Sequence, residues 1–325
     1  MNRLREMFDP FLLLLVGMVA LASVMPARGD GARIVSIVAD AGIVLLFFLH
    51  GAKLSRAAIW SGAKAWRLHL ATLGATFLLF PLMGIATQQV GAIPPAMRAG
   101  LLFLTLLPST VQSSIAFTAI ARGNVAAAVV SASFSNLLGI VLTPLLVALL
   151  MQKSGSGSLI SLSAVEGIVL QLLLPFLLGH LSRPLSQGFV TRHRAMLGRM
   201  DRGSILLIVY SAFSAAAVEG LWRKVSGQEL ALLTGICVAM LAVVLLVTWG
   251  LGRAMGLPRE DAVVLQFCGS KKSLATGVPI AGVLFPASAV GPILLPLMLF
   301  HQIQLMACAV LARRYGRADR AEIRG

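Results

Sequence analysis

Long apolar stretches recur from one end of this chain to the other, and they rule out a soluble fold. Ten are readable, at approximately residues 10–26, 34–51, 69–89, 98–120, 124–151, 159–182, 203–221, 230–251, 261–285 and 290–312. At about 1.5 Å per residue, each is long enough to cross most or all of roughly 30 Å of hydrocarbon. Hydrocarbon excludes backbone whose polar groups are unpaired, so each stretch is expected to be helical. Of the 325 residues, 58% are apolar and only 12% charged, about half the charge a soluble surface of this size carries. The expected class is an all-α polytopic membrane protein with ten transmembrane helices.

An even number of crossings puts both termini on one side. The formal net charge is +15, and its distribution assigns the sides. Of the 27 Lys and Arg, 19 fall at the N-terminus, in the loops on that side and in the tail. They include Arg3, Arg5, Lys53, Arg56, Arg202, Arg253 and Arg259. Six fall on the opposite side: Arg28, Arg33, Arg98, Lys153, Arg223 and Lys224. Positive charge marks the cytoplasmic side, so both termini are expected there, in a plasma membrane (the inner membrane in a bacterium). The basic charge orients the protein in its lipid bilayer, and no nucleic-acid partner is expected. An alternative reads the first stretch, behind Arg3 and Arg5, as a signal peptide; that would leave nine crossings and an unpaired first half.

The polar segment MQKSGSGS, residues 151–158, divides the crossings five and five. Five is odd, so the second half enters the membrane in the opposite sense, the condition for two inverted five-helix repeats. The expected units are 1–150 and 159–313, with 314–325 a cytoplasmic tail. Crossings four and nine then correspond, and both carry helix-breaking chemistry. The fourth contains LLPSTVQSSIAFTAIARGN, where Pro108 removes a backbone donor ahead of Thr110, Gln112, Ser113 and Ser114. The ninth contains FCGSKKSLATGVP, with Gly269, Gly277 and Pro279 around its polar run. Interrupted helices at matching places in two halves point to a substrate site near the bilayer midplane. Freed N–H groups there suit an anion and freed carbonyls a cation. The bland reading is that such small and polar residues merely let membrane helices pack closely.

Lys271 and Lys272 are the two basic residues that belong to neither side. Each costs roughly 2.5–3.5 kcal/mol at the centre of a membrane helix. Adjacent side chains on a helix diverge by about 100°, so the two share one environment only if the helix breaks there. Either the amines are carried neutral, or they sit among carbonyls, hydroxyls or an anionic substrate. A re-entrant hairpin over 267–279 is the alternative. Beyond crossing four, the fifth carries Ser131, Ser133, Ser135 and Asn136. Ser131 and Ser135, at i and i+4, share a face that can point at the fourth-helix break, or serve helix packing. Asp40, Glu166 and Glu219 fall toward the non-cytoplasmic side, as an outer vestibule, an ion path or interfacial residues.

PSTVQSSIAFTAIARGN, SASFSNLLGIVLTPLL and FCGSKKSLATGVPIAGVLFP together resemble the bile acid:sodium symporter superfamily, and most closely its SBF-like branch of the solute carrier 10 member 7 type. The resemblance covers nearly the whole chain. It implies that crossings 1, 2, 6 and 7 form a panel and the others a core, in which crossings 4 and 9 unwind and cross. Sodium-coupled members are similar but have Glu two residues before the ninth-crossing Gly and Gln two residues after it. Here those positions are Phe267 and Lys271, and the following Asn is matched by Lys272.

The expected function is secondary active transport of small organic anions by alternating access. Substrate contacts are expected from Thr110, Gln112, Ser113, Ser114, Lys272 and Ser273, with Lys272 as counter-ion. Ion coupling is expected from Lys271, Gln266, Ser270, Ser131, Ser135 and Asn136, with Lys271 standing in for one sodium. Na⁺ is the one ion the resemblance offers, and no other cofactor is expected. Proton-coupled or uncoupled transport is the rival, and a non-transporting regulator of ion entry or envelope assembly the rival from another class. No enzyme is expected. The three cysteines and five histidines lack metal-ligand spacing, and a Ser–Lys pair at Lys271 is the one catalytic arrangement to set aside. The sequence does not determine substrate identity or oligomeric state, and a monomer is compatible with it.

Overall fold

A computed structural model describes residues 10–53, 65–151 and 168–322. Among these residues the chain is all helix, without a strand. Among the described residues, six helices are long and apolar enough to cross a membrane: Gly29–Lys53, Trp66–Thr87, Val125–Met151, Arg194–Val218, Gly227–Ala254 and Ala287–Arg317. The described elements, in chain order, are α1 (Pro10–Val24), α2 (Gly29–Lys53), α3 (Trp66–Gly74), α4 (Phe80–Thr87), α5 (Pro95–Thr105), α6 (Val111–Ile120), α7 (Val125–Met151), α8 (Leu174–Arg192), α9 (Arg194–Val218), α10 (Leu221–Lys224), α11 (Gly227–Ala254), α12 (Arg259–Gly269), α13 (Leu274–Leu284) and α14 (Ala287–Glu322). Most of the divider MQKSGSGS, and Glu166, lie outside the described residues. The stretch read as a tail continues α14 as helix to Glu322; its Ala and Arg residues are strong helix formers.

The fourth and ninth apolar stretches are each two helices. α5 stops at Thr105 and α6 starts at Val111, and between α12 and α13 lie residues 270–273. Thr110 and Ser273, the residues before α6 and α13, are both extended, with ψ of 132° and 110°.

Two further interruptions were not legible in the hydropathy. A π-helical turn, Ala75–Leu79, joins α3 to α4, and another, Ile168–Leu173, leads into α8. Each is followed within two residues by a proline, Pro81 or Pro175. In the first, the Phe80 N–H bonds back to the Ala75 carbonyl, the i→i−5 register. That register would pair the Thr76 carbonyl with the N–H of residue 81, and proline has none.

The helices pack in two groups. α1, α2, α8 and α9 lie against one another, and α2 with α8 is the most extensive contact. The second group holds α3, α5, α6, α7, α11, α12, α13 and α14, with α12 touching α3, α6, α7 and α11. α9 reaches across to α13 and α14. Phe47, Phe80, Phe103, Phe213 and Phe300 are fully buried in the shared apolar core. Lys271 and Lys272 rank with them among the largest fully buried side chains.

α2 and α8 approach so closely that their backbones touch at glycines. A Cβ on Gly179 would overlap the carbonyl oxygen of Phe48, and one on Gly51 the carbonyl oxygen of Phe176. Small residues allow this approach where no hydrophobic force drives helices together in lipid. A Gly179→Ala protein should therefore lose about 1–3 kcal/mol, read as a lower thermal midpoint in detergent; an unchanged midpoint would mean that the two helices separate at no cost.

Candidate functional site

The two breaks face each other, and each satisfies the other's backbone. The Ser273 N–H donates to the Pro108 carbonyl at 2.9 Å. Ser109 Oγ donates to the Cys268 carbonyl at 2.6 Å, Ser114 Oγ to the Phe267 carbonyl at 3.1 Å and Thr110 Oγ1 to the Lys272 carbonyl at 3.0 Å. Gln304 Nε2, from α14, also donates to the Lys272 carbonyl, at 2.9 Å, and its Oε1 accepts from the Lys272 N–H. Ser270 Oγ donates to the Gln266 carbonyl at 2.5 Å.

The five carbonyls from Thr105 to Ser109 are likewise accounted for. Lys272 Nζ donates to those of Thr105 (2.7 Å) and Leu107 (2.6 Å). Thr143 Oγ1 serves Leu106, the Ser273 N–H serves Pro108, and Asn136 Nδ2 serves Ser109. The third bond of the Lys272 ammonium, at 2.8 Å, goes to the Thr76 carbonyl that Pro81 leaves without a helical partner. One side chain thus ties the C-terminal end of α5 and the π turn to the second break, using all three donors of an ammonium group. The Phe80 ring lies 4.3 Å from the same nitrogen.

Lys271 points elsewhere, as adjacent side chains must. Its Nζ is buried, lies 3.9 Å from the Phe117 ring centre and 5.4 Å from that of Phe267, and has no hydrogen-bond partner among the described residues. In this conformation the set of carbonyls belongs to Lys272, where the sequence reading gives the built-in cation to Lys271. Neither lysine is among the lining residues of the two cavities described below. Lys272 as a substrate counter-ion is not the arrangement seen, because its donors are already taken.

The fifth crossing splits its serines by face. The i, i+4 argument aims Ser131 and Ser135 together at the first break; Ser135 Oγ accepts from the Ser109 N–H there at 2.9 Å, while Ser131 Oγ pairs with His69 Nδ1 at 2.7 Å instead. Asn136 bridges the breaks, since its Oδ1 accepts from Thr276 Oγ1 at 2.9 Å. Gln266 is drawn away from the crossing, with Nε2 on the Leu245 carbonyl and Oε1 accepting from Tyr315. Ser113 Oγ is buried and has no partner among the described residues. Asp40 and Glu219 are exposed and line neither cavity.

A cavity of about 350 Å³ lies between the two groups of helices. On the crossing side it is lined by Thr110 and Gln112 of the α6 start, Ser273 and Thr276 of the α13 start, and Ser133 and Asn136 of α7. Both half-helices thus turn their N-terminal ends toward it. The facing wall carries His50, Lys53, Asp201 and Arg202. Lys53 and Asp201 form an ion pair, and Arg202 lies 5.7 Å from the Phe11 ring. Among the described residues, two cations against one carboxylate leave this wall positive. By sequence, Lys53 and Arg202 serve only to orient the chain. Their nearness to the cavity depends on α2, α9 and the breaks meeting in space, which no local pattern encodes.

The arrangement can be tested for a sodium ion. Na⁺ needs several oxygen ligands, and the oxygens of the crossing already accept from hydroxyls, amides and the Lys272 ammonium. No group of three or more His, Cys, Asp or Glu capable of holding a metal occurs among the described residues. At the carbonyls of Thr76, Thr105 and Leu107 the Lys272 ammonium takes the place of a bound cation.

Residues 9–317 match the model of the SBF-like CPA transporter family. A Pseudomonas aeruginosa protein named only as uncharacterized is 53% identical over 98% of this chain and 96% of its own length. YfeH of Escherichia coli, provisionally named a symporter, is 51% identical over 97% of this chain and 95% of its own. Sodium/bile acid cotransporter 7 of Danio rerio is 25% identical over 83% of this chain and 81% of its own.

Proposed function

The chain belongs to the SBF-like CPA transporter family, and we propose that it is a secondary transporter of small organic anions working by alternating access. It is a multi-pass membrane protein; on this reading its ten crossings form two inverted repeats, with both termini in the cytoplasm. The observation that carries the proposal is the cavity into which two half-helix N-termini and the Lys53–Asp201–Arg202 wall converge. Helix N-termini present unpaired N–H groups and a partial positive charge, so a carboxylate or sulfate is stabilised there. The wall belongs to one packed group and the crossing to the other, so an anion held between them feels any rocking of one group against the other.

The specificity is for charge and modest size. The cavity holds about 350 Å³, and its ring-bearing lining residues are Phe11, Phe47, Phe176 and His50. Thr110, Gln112 and Ser273 serve as substrate contacts in this reading, and Arg202 takes the counter-ion role that the sequence gives to Lys272. Ser114 supports the crossing through the Phe267 carbonyl.

The coupling ion in this reading is the proton, carried by Lys271. Sodium coupling is disfavoured by the occupied oxygens of the crossing. Lys271 has no hydrogen-bond partner among the described residues, and its titratable neighbours are the thiols of Cys308 and Cys268.

The test is a thermal-shift screen of carboxylates and sulfate esters on the purified protein, followed by uptake of the stabilising compounds into proteoliposomes under imposed sodium or pH gradients. Uptake driven by the pH gradient and indifferent to sodium is expected. Arg202→Gln should raise the apparent KM about tenfold, the loss of one charge-assisted hydrogen bond, with an unchanged melting point. No stabilising anion in the screen, or unaltered uptake by Arg202→Gln, would remove the basis of the assignment.

A further inference from the structure

A second cavity, of about 330 Å³, lies outside the transport site, between α11, α12 and α14. Its lining includes Trp249, Arg253, Arg259, Gln266 and Tyr315. Among the described residues, the charged ones in that lining are the two arginines. The acids closest in sequence, Glu260 and Asp261, do not line it, and Asp261 accepts from Asn124 Nδ2 at 2.9 Å.

The two guanidinium groups are held in different ways. Arg259 donates through Nη2 to the carbonyls of Tyr315 (2.8 Å) and Ala121 (3.3 Å), which fixes its plane at the start of α12. Arg253, exposed in the last turn of α11, lies 4.0 Å over the ring of Trp249 one turn earlier. The cavity is closed on its inner side by a polar pair, Tyr315 OH donating to Gln266 Oε1 at 3.0 Å. An ordered positive lining with a hydrogen-bonding floor suits an anion with several acceptor oxygens, and arginine forks match phosphate best.

The surroundings indicate where such an anion comes from. Leu246, Val247 and Trp249 on the same helix are 67%, 41% and 45% exposed. In a membrane that face meets acyl chains, and an exposed Trp beside Arg marks the depth of the headgroups. By the distribution of Lys and Arg this end of α11 is cytoplasmic, the leaflet surface where basic pockets between helices hold anionic headgroups.

We infer that this cavity binds the phosphate of an anionic headgroup, with Arg253 and Arg259 as its ligands and Trp249 lying along the attached chain. The site is separate from the transported substrate and does not depend on its identity. It does sit on α12, the half-helix that ends in the break carrying Lys271 and Lys272, so occupancy holds one arm of the crossing in position.

The experiment uses the full chain in nanodiscs of phosphatidylcholine, with either phosphatidylglycerol mixed into the bilayer or inorganic phosphate added to the buffer. Thermal midpoint and lipid retention in native mass spectrometry are the readouts. Phosphatidylglycerol should stabilise and be retained, and Arg253→Gln should weaken that retention about tenfold. Arg253→Lys, which keeps the charge and loses the fork, should fall between. If inorganic phosphate gives the same Arg253-dependent shift without the lipid, the site is a soluble-phosphate site of the same chemistry. Equal retention by parent, Arg253→Gln and Arg253→Lys, or retention of phosphatidylcholine as strong as that of phosphatidylglycerol, overturns the inference. Arg253 is exposed and packs on one ring, so the variants are expected to fold.

Discussion

A Lys272→Met protein is expected to insert into the membrane, melt well below the parent and transport nothing. Methionine keeps the length of the stem and removes three donors. The carbonyls of Thr76, Thr105 and Leu107 then lose the ammonium that now serves them, at a site with no exposure to solvent. An orphaned buried polar group costs about 1–3 kcal/mol. Membrane interiors temper this, because the inserted but unpacked helices also find partners. A total on the order of 3 kcal/mol remains, enough to separate α5 from the π turn at Ala75–Leu79. Uptake is lost because Pro108, Ser109 and Thr110, which hold the second break, follow directly on those carbonyls. The measurement is unfolding in detergent beside uptake in proteoliposomes. A parental melting point would mean that the three bonds contribute nothing to the fold.

The same lysine marks where sequence reading succeeds and where it stops. Apolar length gives the helices, and Pro108 with the SKKS run gives the two breaks, because a proline or a pair of buried charges cannot continue an ordinary membrane helix. Ser135 facing the first break follows from a four-residue step, and Ser133, off that face, lines the cavity instead. The partner of each lysine does not follow. Lys272 meets a carbonyl contributed by Thr76, nearly two hundred residues away, and that carbonyl is available only because Pro81 interrupts a π turn. The turn leaves no mark in hydropathy, although a proline late in a membrane helix is the local signal that could have raised it. Lys53 and Arg202 illustrate the opposite loss. Their charge is legible, but its meaning is ambiguous, since the basic residues that orient a membrane protein also line whatever opens on that side. Gln266 looks like an oxygen donor for the break and serves Tyr315 and Leu245 instead, because the face it occupies on α12 is set by α11 and α14.

The neighbouring residue should respond in the opposite direction. Lys271→Met is expected to leave the protein as stable as the parent or more so, and to abolish accumulation driven by an ion gradient while exchange of substrate across the membrane persists. The Lys271 amine lies over Phe117 and Phe267 and has no hydrogen-bond partner among the described residues, so its removal orphans no described acceptor. A desolvated ring contact of this kind is worth about 2 kcal/mol. Carrying a lysine at a helix centre costs roughly 2.5–3.5 kcal/mol, so the exchange for methionine gains on the order of 1 kcal/mol. On the proposed reading, Lys271 gains and loses a proton as the crossing changes sides, a role that packing does not supply. Counterflow would then proceed without Lys271, because the cavity, the half-helix N-termini and Arg202 are intact, whereas uphill uptake would fall to background. The decisive comparison is between the two adjacent substitutions in one assay. If Lys271→Met accumulates substrate under a pH gradient as the parent does, the proton is carried elsewhere. If it melts as early as Lys272→Met, both ammonium groups are structural and the division of labour between them fails.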